Sequence, residues 1–306
     1  MGVRKELRIG VVTSDPTGWH SSRLLDAAGE IGRAEALSPL DVSVHVDAQG
    51  AEVWFGNEQA SRFNALLLRG LDNEGLPDFQ LEAYRLMEES VPVTINRVGP
   101  VLTALDKCRS SFMLHKAGLP TPDTVVTQRP EVAVRAVQEF GVAVLKPLYG
   151  SLGEDIVRVT PGREASDVIA RMLRDFGVIY VQRFLGPGGR DIRAFVIGGR
   201  VVAAIYRVAR EGEWITNVFQ GARSERANLS PSMAALAVGA ARAVDLDYTG
   251  VDIIEGPDGP AVIEVNGTPS WMGVEEAWNL NIAREIVGLA ARRVRRAALA
   301  TYWRTA

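Results

Sequence analysis

The chain has 306 residues, 47% apolar and 23% charged, an ordinary balance for a folded globular protein of about two domains. Its 34 basic and 37 acidic side chains leave a net charge of −3, which excludes the basic excess of a nucleic-acid binder or of a protein held on an anionic membrane. A single cysteine builds neither an internal disulfide nor a cysteine zinc site, and no apolar run reaches the roughly 18 residues of a membrane helix, so a cytoplasmic protein is expected.

In chain order, LRIGVVT reads as a buried strand, and SSRLLDAAGEIG as a helix capped by Ser21 or Ser22 and ended near Gly32. VSVHVDA, EVWFGN and NALLLRG follow as strands, FQLEAYRLMEES as a helix and VPVTIN as a strand. Strands alternating with helices predict a parallel sheet covered on both faces over residues 1–100, with a boundary at RVGP. A helix over LTALDKCRSSFMLHKAG, closed by Gly118, opens the next segment. DTVVT, VAVLKP, IVRVT and VIYVQRF are its strands, EVAVRAVQEFG and EASDVIARMLRDFG its helices, and LYGSLGED a loop. From about residue 186 the chain turns strand-rich, with DIRAFVIGG, RVVAAIYRVA, the helix PSMAALAVGAARAVDL, a hairpin over YTGVDIIEGPDGPAVIEVNGTPS and a last helix from Asn281 to Trp303.

That hairpin carries the strongest chemical signal. Its turn, Gly256-Pro257-Asp258-Gly259, centres near Asp258 and predicts Asp252 opposite Glu264, although like charges facing each other destabilise a hairpin. Period two adds Asn266 to the face of Glu264. Two carboxylates and an amide carbonyl are the oxygen donors that a hard cation such as Mg²⁺ takes, completed by phosphate and water.

Lys146 closes an apolar strand just before the loop holding Gly150, Ser151 and Gly153. A cation there needs a compensating anion, and the glycines let backbone N–H groups turn toward a phosphate. Arg190, Arg193 and Arg207 form an arginine set suited to carboxylate or phosphate, with Asp191 among them, and Asn217 offers an amide to phosphate or metal. His20, in the loop after the first strand, and Arg69, after a later one, stand as substrate contacts. Cys108, His45 and His115 have no partner spacing. No G-x-G-x-x-G fingerprint follows the first strand, which counts against a dinucleotide-dependent oxidoreductase.

Together the segments DKCRSSFMLHKAGLPTP, VLKPLYGSLGEDI, GGRDIRAFVIGGRVVAAIYRVAREGEWITN, GVDII and VIEVNGTPS resemble the ATP-grasp superfamily and, within it, the RimK-type α-L-glutamate ligases, over nearly the whole chain. The resemblance implies an α/β protein with the ATP-grasp fold: an N-terminal Rossmann-like domain over 1–100, a central subdomain over 101–185, and a C-terminal subdomain over 186–306 with the Mg/ATP site. It implies that Lys107 and Lys146 contact ATP phosphates and that Ser151 and Gly153 belong to the loop over them. Gln182, Arg183 and Phe184 would form the hinge beside adenine, with Asp191 and Asn217 at the nucleotide. Asp252, Glu264 and Asn266 would hold Mg²⁺ or Mn²⁺ as two ions, and Arg193 and Arg207 would steady an acyl phosphate.

The activity implied is ATP-dependent joining of an amine, the α-amino group of L-glutamate, to an acceptor carboxylate. Neither nucleic acid nor membrane is a partner on this reading, and a homodimer or homotetramer is expected. A small-molecule acceptor, a pterin- or furan-type one-carbon carrier, suits Trp19 and His20; a protein C-terminus or an amino-group carrier protein is the alternative. Two departures stand out: the hinge carries Arg183 where the family has an acidic residue, and Val218-Phe219-Gln220-Gly221-Ala222 replaces a stretch with a basic residue and paired glycines. Arg183 motivates the competing expectation of a catalytically inactive nucleotide-binding module.

Overall fold

The computed structural model describes residues 6–48, 50–150, 155–186, 189–216 and 221–305. Ser151, Gly153 and Asn217, three of the site residues expected from the sequence, lie outside the described residues. In chain order the elements are β1 (Arg8–Val12), α1 (Trp19–Gly29), β2 (Arg33–Leu37), β3 (Val42–Asp47), β4 (Gly50–Phe55), β5 (Glu58–Gln59), β6 (Ala65–Leu68), α2 (Pro77–Ser90), β7 (Thr94–Ile95), α3 (Val98–Leu105), α4 (Lys107–Lys116), β8 (Thr124–Thr127), α5 (Pro130–Phe140), β9 (Ala143–Lys146), β10 (Val157–Val159), α6 (Arg163–Phe176), β11 (Ile179–Arg183), β12 (Arg190–Ile197), β13 (Arg200–Val208), β14 (Arg223–Arg226), α7 (Pro231–Ala243), β15 (Tyr248–Gly256), β16 (Gly259–Asn266), α8 (Met272–Trp278) and α9 (Ile282–Thr305). They form two compact units, one of residues up to Val101 together with those from Leu280 on, the other of Leu102–Asn279. The chain is thus mixed α/β, and no described helix is long and apolar enough to cross a membrane.

In the first unit Ile9, Val11 and Val12 are wholly buried, and β1 is an inner strand of a parallel sheet ordered β2-β1-β6-β7. Such burial on both faces is why the strand reads as a continuous apolar run. The last helix, placed with the third segment on sequence grounds, packs here on α1 and β6. VSVHVDA and EVWFGN do not join the parallel sheet. They pair antiparallel as β3 and β4, with β5 at the edge, because a turn as short as Asp47–Gly50 cannot carry a crossover. β2 escapes the sequence reading since RAEAL alternates only through small alanines and has neither a β-branched or aromatic residue nor an apolar run. α1 starts at Trp19, earlier than expected, with Gly18 at its cap; the Ser21 hydroxyl instead bonds Thr13 Oγ1 at 2.8 Å.

The second unit carries two antiparallel sheets. One, ordered β10-β9-β11-β8, has α5 and α6 on one face, where Ala143, Leu145, Val159, Ile179 and Val181 meet Ala133, Val137, Ile169 and Met172 in a closed core. The other is ordered β14-β13-β12-β15-β16, with α7 packed across β12, β13, β15 and β16 and α8 against β13 and β14. The single helix expected over Leu102–Gly118 is two. Asp106 leaves the helical conformation and its Oδ1 accepts from the Arg109 N–H at 2.9 Å, capping α4. Lys107 is therefore the first residue of a new helix.

Candidate functional site

The β15–β16 hairpin sets Asp252 opposite Glu264 and Gly250 opposite Asn266. The expected pairing is present, but its cause differs. The turn is centred between Pro257 and Asp258, so that Gly256 faces Gly259 and Ile253 faces Val262. A uniform ladder from that turn would set Ile263 opposite Asp252 and throw Glu264 onto the other face. A bulge between Asp252 and Ile253 leaves Ile263 as the extra residue and restores Glu264 to the face of Asp252.

The same face extends across the sheet. Arg193 on β12 stands opposite Asp252, and Asp191 opposite Arg207 on β13. Arg193 donates to both Asp252 oxygens, Nε to Oδ1 at 2.5 Å and Nη2 to Oδ2 at 2.7 Å. Arg207 grips Asp191 in the same two-pronged way, at 2.7 and 2.5 Å, and its Nη2 also lies 2.9 Å from Asp252 Oδ2. Thr216 Oγ1 donates to Asp191 at 2.7 Å. Burial pushes the Asp252 carboxyl up, but Arg193 and Arg207 outweigh it and hold the carboxyl below its ordinary value. Burial likewise works against the Arg207 charge, and Asp252 and Asp191 more than restore it. Gly250 makes room for this packing: a Cβ there would stand 2.7 Å from Arg193 Cδ. The like-charge conflict read from the hairpin is thus answered by arginine before any ligand arrives.

Above this row stand the lysines. Lys146 ends β9 half-buried; Nζ donates to Gln182 Oε1 at 2.8 Å and lies 5.8 Å from the centre of the Tyr180 ring. The Gln182 amide is turned to offer its oxygen because its Nε2 donates to Tyr180 Oη at 3.1 Å, and that hydroxyl bonds Ser111 Oγ at 2.8 Å. Burial pulls the Lys146 ammonium below its ordinary value, with Glu264 as the leading opposing influence and Lys107 adding to the depression. Lys107 Nζ donates to Gly150 O at 2.8 Å and lies 3.9 Å from Glu264 Oε1. Gly150 takes φ +153°, a conformation that L side chains rarely adopt.

The hinge residue Arg183 behaves otherwise. Strand alternation turns it away from Gln182, and its guanidinium reaches Asp123, at 2.8 Å, and the Phe140 ring, at 5.2 Å. Arg190 also stands apart, paired with Glu255 at 2.8 Å on the surface. The second unit therefore gathers Lys107, Lys146, Gln182, Asp191, Arg193, Arg207, Asp252, Glu264 and Asn266. Sequence reading missed Tyr180 and Ser111, which orient Gln182, and Thr216 and Gly250; of these only Tyr180, two residues before Gln182 on one strand, had a usable signal.

His20 and Arg69 belong to the first unit, beyond the carboxyl ends of β1 and β6, adjacent strands whose connections leave in opposite directions and so leave a crevice between them. Burial, and then the charge of Arg69, lowers His20 to about 4. Below its unfolded value of 6.5 the unfolded chain takes up a proton that the folded protein refuses, so stability falls as pH drops from 6.5 toward 4. His20→Gln should flatten that limb of the urea-midpoint against pH curve; an unchanged slope would assign it to other groups.

Among the described residues no three His, Cys, Asp or Glu side chains cluster to hold a metal by themselves. Asp252, Glu264 and Asn266 nonetheless fit a hard cation in donor chemistry. The Glu264 carboxylate is 36% exposed, and the Asn266 N–H donates to Gly250 O at 3.1 Å, turning its amide oxygen away from that carbonyl.

The chain matches the RimK-like ATP-grasp domain over residues 104–289. It is 33% identical over 316 residues to the tetrahydromethanopterin:alpha-L-glutamate ligase of Methanosarcina acetivorans, covering 92% of this chain and 97% of that protein. A probable alpha-L-glutamate ligase of Legionella pneumophila is 31% identical over 286 residues, covering 92% and 94%. Among solved structures, the ATP-grasp ligase PsnB complexed with a minimal precursor superposes with a TM-score of 0.76 at 23% identity, covering 94% of this chain and 100% of that one. The RimK domain protein ATP-grasp from Sphaerobacter thermophilus does so with 0.69 at 21%, covering 92% and 98%. At those identities the structures speak to the fold, and the sequence relatives to the family: the chain belongs to the RimK-like ATP-grasp family and is a carbon–nitrogen ligase.

Proposed function

We propose that the protein joins the α-amino group of L-glutamate to a carboxylate of a small-molecule acceptor, using ATP. The observation that carries this reading is the buried arginine–aspartate row lying beneath Lys146 and beside Glu264. Two arginines and two aspartates cancel within the row, so positive charge available to an incoming anion comes from Lys146 and Lys107. A triphosphate exceeds what two lysines neutralise, and Asp252, Glu264 and Asn266 would hold the Mg²⁺ that supplies the remaining charge compensation.

In the reaction a carboxylate oxygen of the acceptor attacks the γ-phosphorus and ADP departs, leaving an acyl phosphate. The glutamate nitrogen then attacks the acyl carbon and phosphate departs, so that an amide C–N bond replaces the bond to phosphate. The chain's own contribution is placement and charge: Lys146, aimed by Gln182 and Tyr180, on the phosphates; Lys107 on the loop and phosphates; Arg207 and Arg193, their charge already cancelled, steadying an acyl phosphate by hydrogen bonds from N–H groups that their aspartates leave over. No side-chain nucleophile is needed. Relatives named as alpha-L-glutamate ligases, one of them for tetrahydromethanopterin, support glutamate and a pterin-type acceptor. Arg183, the residue that motivated an inactive binding module, points away from the face of Lys146 and Gln182.

The test is a mass-spectrometric screen of the purified protein with Mg-ATP, one amino acid at a time and a panel of pterin, furan and peptide carboxylates. ADP with a glutamyl adduct on a small molecule is the expected result. An adduct on a peptide C-terminus would move the acceptor to a protein, and ATP binding without ADP for any acceptor would favour the binding module.

A further inference from the structure

Phe184, just past β11, meets Trp214 with ring centroids 5.8 Å apart and ring planes at 86°. The guanidinium of Arg158 lies 5.2 Å from the Phe184 centroid and 5.5 Å from that of Trp214, and so fills the corner between the two rings. Strand register explains how it gets there. Arg158 on β10 is opposite Val144, and Val144 is opposite Gln182. Arg158, Gln182 and, two residues along β9, Lys146 therefore leave the sheet from one face, the face away from α5 and α6. Arg158 is exposed on its strand, and among the described residues no carboxylate pairs with it.

We propose that Arg158 occupies the Phe184–Trp214 corner as a stand-in for the nucleotide's base, whose slot beside this hinge the family resemblance already implies, and is displaced when the base enters. The proposal rests on the reading of the Lys146–Gln182 face as the nucleotide site. Two rings at a right angle let a flat heterocycle stack on one and meet the edge of the other, the arrangement aromatic groups favour. A guanidinium is planar, delocalised and weakly hydrated, which makes it the side chain best able to cover the same apolar corner in the base's absence. On its long stem and at the surface, it can swing into water without any shift of β10. Arg158 then competes with the base, and with the base alone: it sets nucleotide affinity and discriminates between a nucleotide and a bare polyphosphate. Trp214 is a wall of the slot and favours nucleotides over phosphate chains.

Equilibrium calorimetry on the full chain tests this, with ATP and inorganic tripolyphosphate as probes against the natural protein, Arg158→Gln, Trp214→Ala and Trp214→Phe. Removing the stand-in should tighten ATP binding about fivefold, the size of one cation–π contact, and leave tripolyphosphate affinity as it was. Trp214→Ala should weaken ATP about tenfold with tripolyphosphate again unmoved, and Trp214→Phe, which keeps a ring, should bind ATP close to the natural protein. Weaker ATP binding by Arg158→Gln would make the arginine part of the bound site and overturn the proposal, as would equal changes for both probes or for both Trp214 variants. If the natural protein binds tripolyphosphate and ATP equally, the slot is wrong while the phosphate site stands. If it binds neither, the nucleotide reading itself falls.

Discussion

Asp252→Asn should abolish ligation and also destabilise the fold by about 3–5 kcal/mol, whereas Glu264→Gln should abolish ligation with the fold intact. The difference follows from what each carboxylate compensates. Asp252 is 3% exposed and accepts both prongs of Arg193 and a third contact from Arg207. An amide in its place leaves the largely buried Arg193 side chain opposite a neutral group whose NH₂ points at a guanidinium; Arg207 keeps Asp191 and suffers less. Removing one partner of such a network strands a charge, which costs far more than the pair itself contributes. Glu264, 36% exposed with Lys107 at 3.9 Å, compensates little in the free protein, and its loss should move stability by under about 0.5 kcal/mol.

Both variants replace a carboxylate expected to bind Mg²⁺ with a neutral, weaker amide donor, so both should lose about a hundredfold or more in ATP turnover. Glu264→Gln should also need about tenfold more Mg²⁺ for half-maximal nucleotide binding. Urea denaturation and a Mg²⁺ titration at fixed ATP read the two effects separately. Equal destabilisation by the two variants, or full ATP turnover in either, would refute the division between ion network and metal ligand.

The two carboxylates were legible because each interrupts an apolar strand at a fixed distance from a recognisable turn. Their facing was legible only in outcome, since nothing in V-I-E-V marks Ile263 as the bulged residue. The arginine contacts were beyond sequence reading for a different reason. Arg193 and Asp252 are brought together by the pairing of β12 with β15, and only the sheet order reveals that neighbour. Arg183 shows the reverse: the period of two that joins Asn266 to Glu264 also turns Arg183 away from Gln182, and motif resemblance alone had grouped them. In the first unit, β2 was hidden by its composition, and the antiparallel pairing of β3 with β4 is set by the shortness of one turn and not by the pattern of either strand, while buried β1 and β6 declared themselves as apolar runs.

Lys146→Met should cost ATP turnover about a hundred- to a thousandfold and leave the fold as stable or more so. The lysine is half-buried and its charge is disfavoured by that burial, so an unbranched apolar chain of similar length removes an unfavourable contribution along with one hydrogen bond to Gln182. Phosphate oxygens arriving beside it would reverse the balance and favour the charged form. ATP affinity should then fall as pH rises through the lowered ammonium value, which lies below the ordinary 10.5. ATP affinity measured across the alkaline range reads this directly: the fall is present in the natural protein and absent in Lys146→Met. Lys146→Arg should not restore activity, because Gln182 Oε1 at 2.8 Å and the Tyr180 ring shape a site for a single compact ammonium and not for a planar fork. A destabilised Lys146→Met that still bound and hydrolysed ATP would make the lysine a structural plug, and the phosphates would have to be sought nearer Lys107.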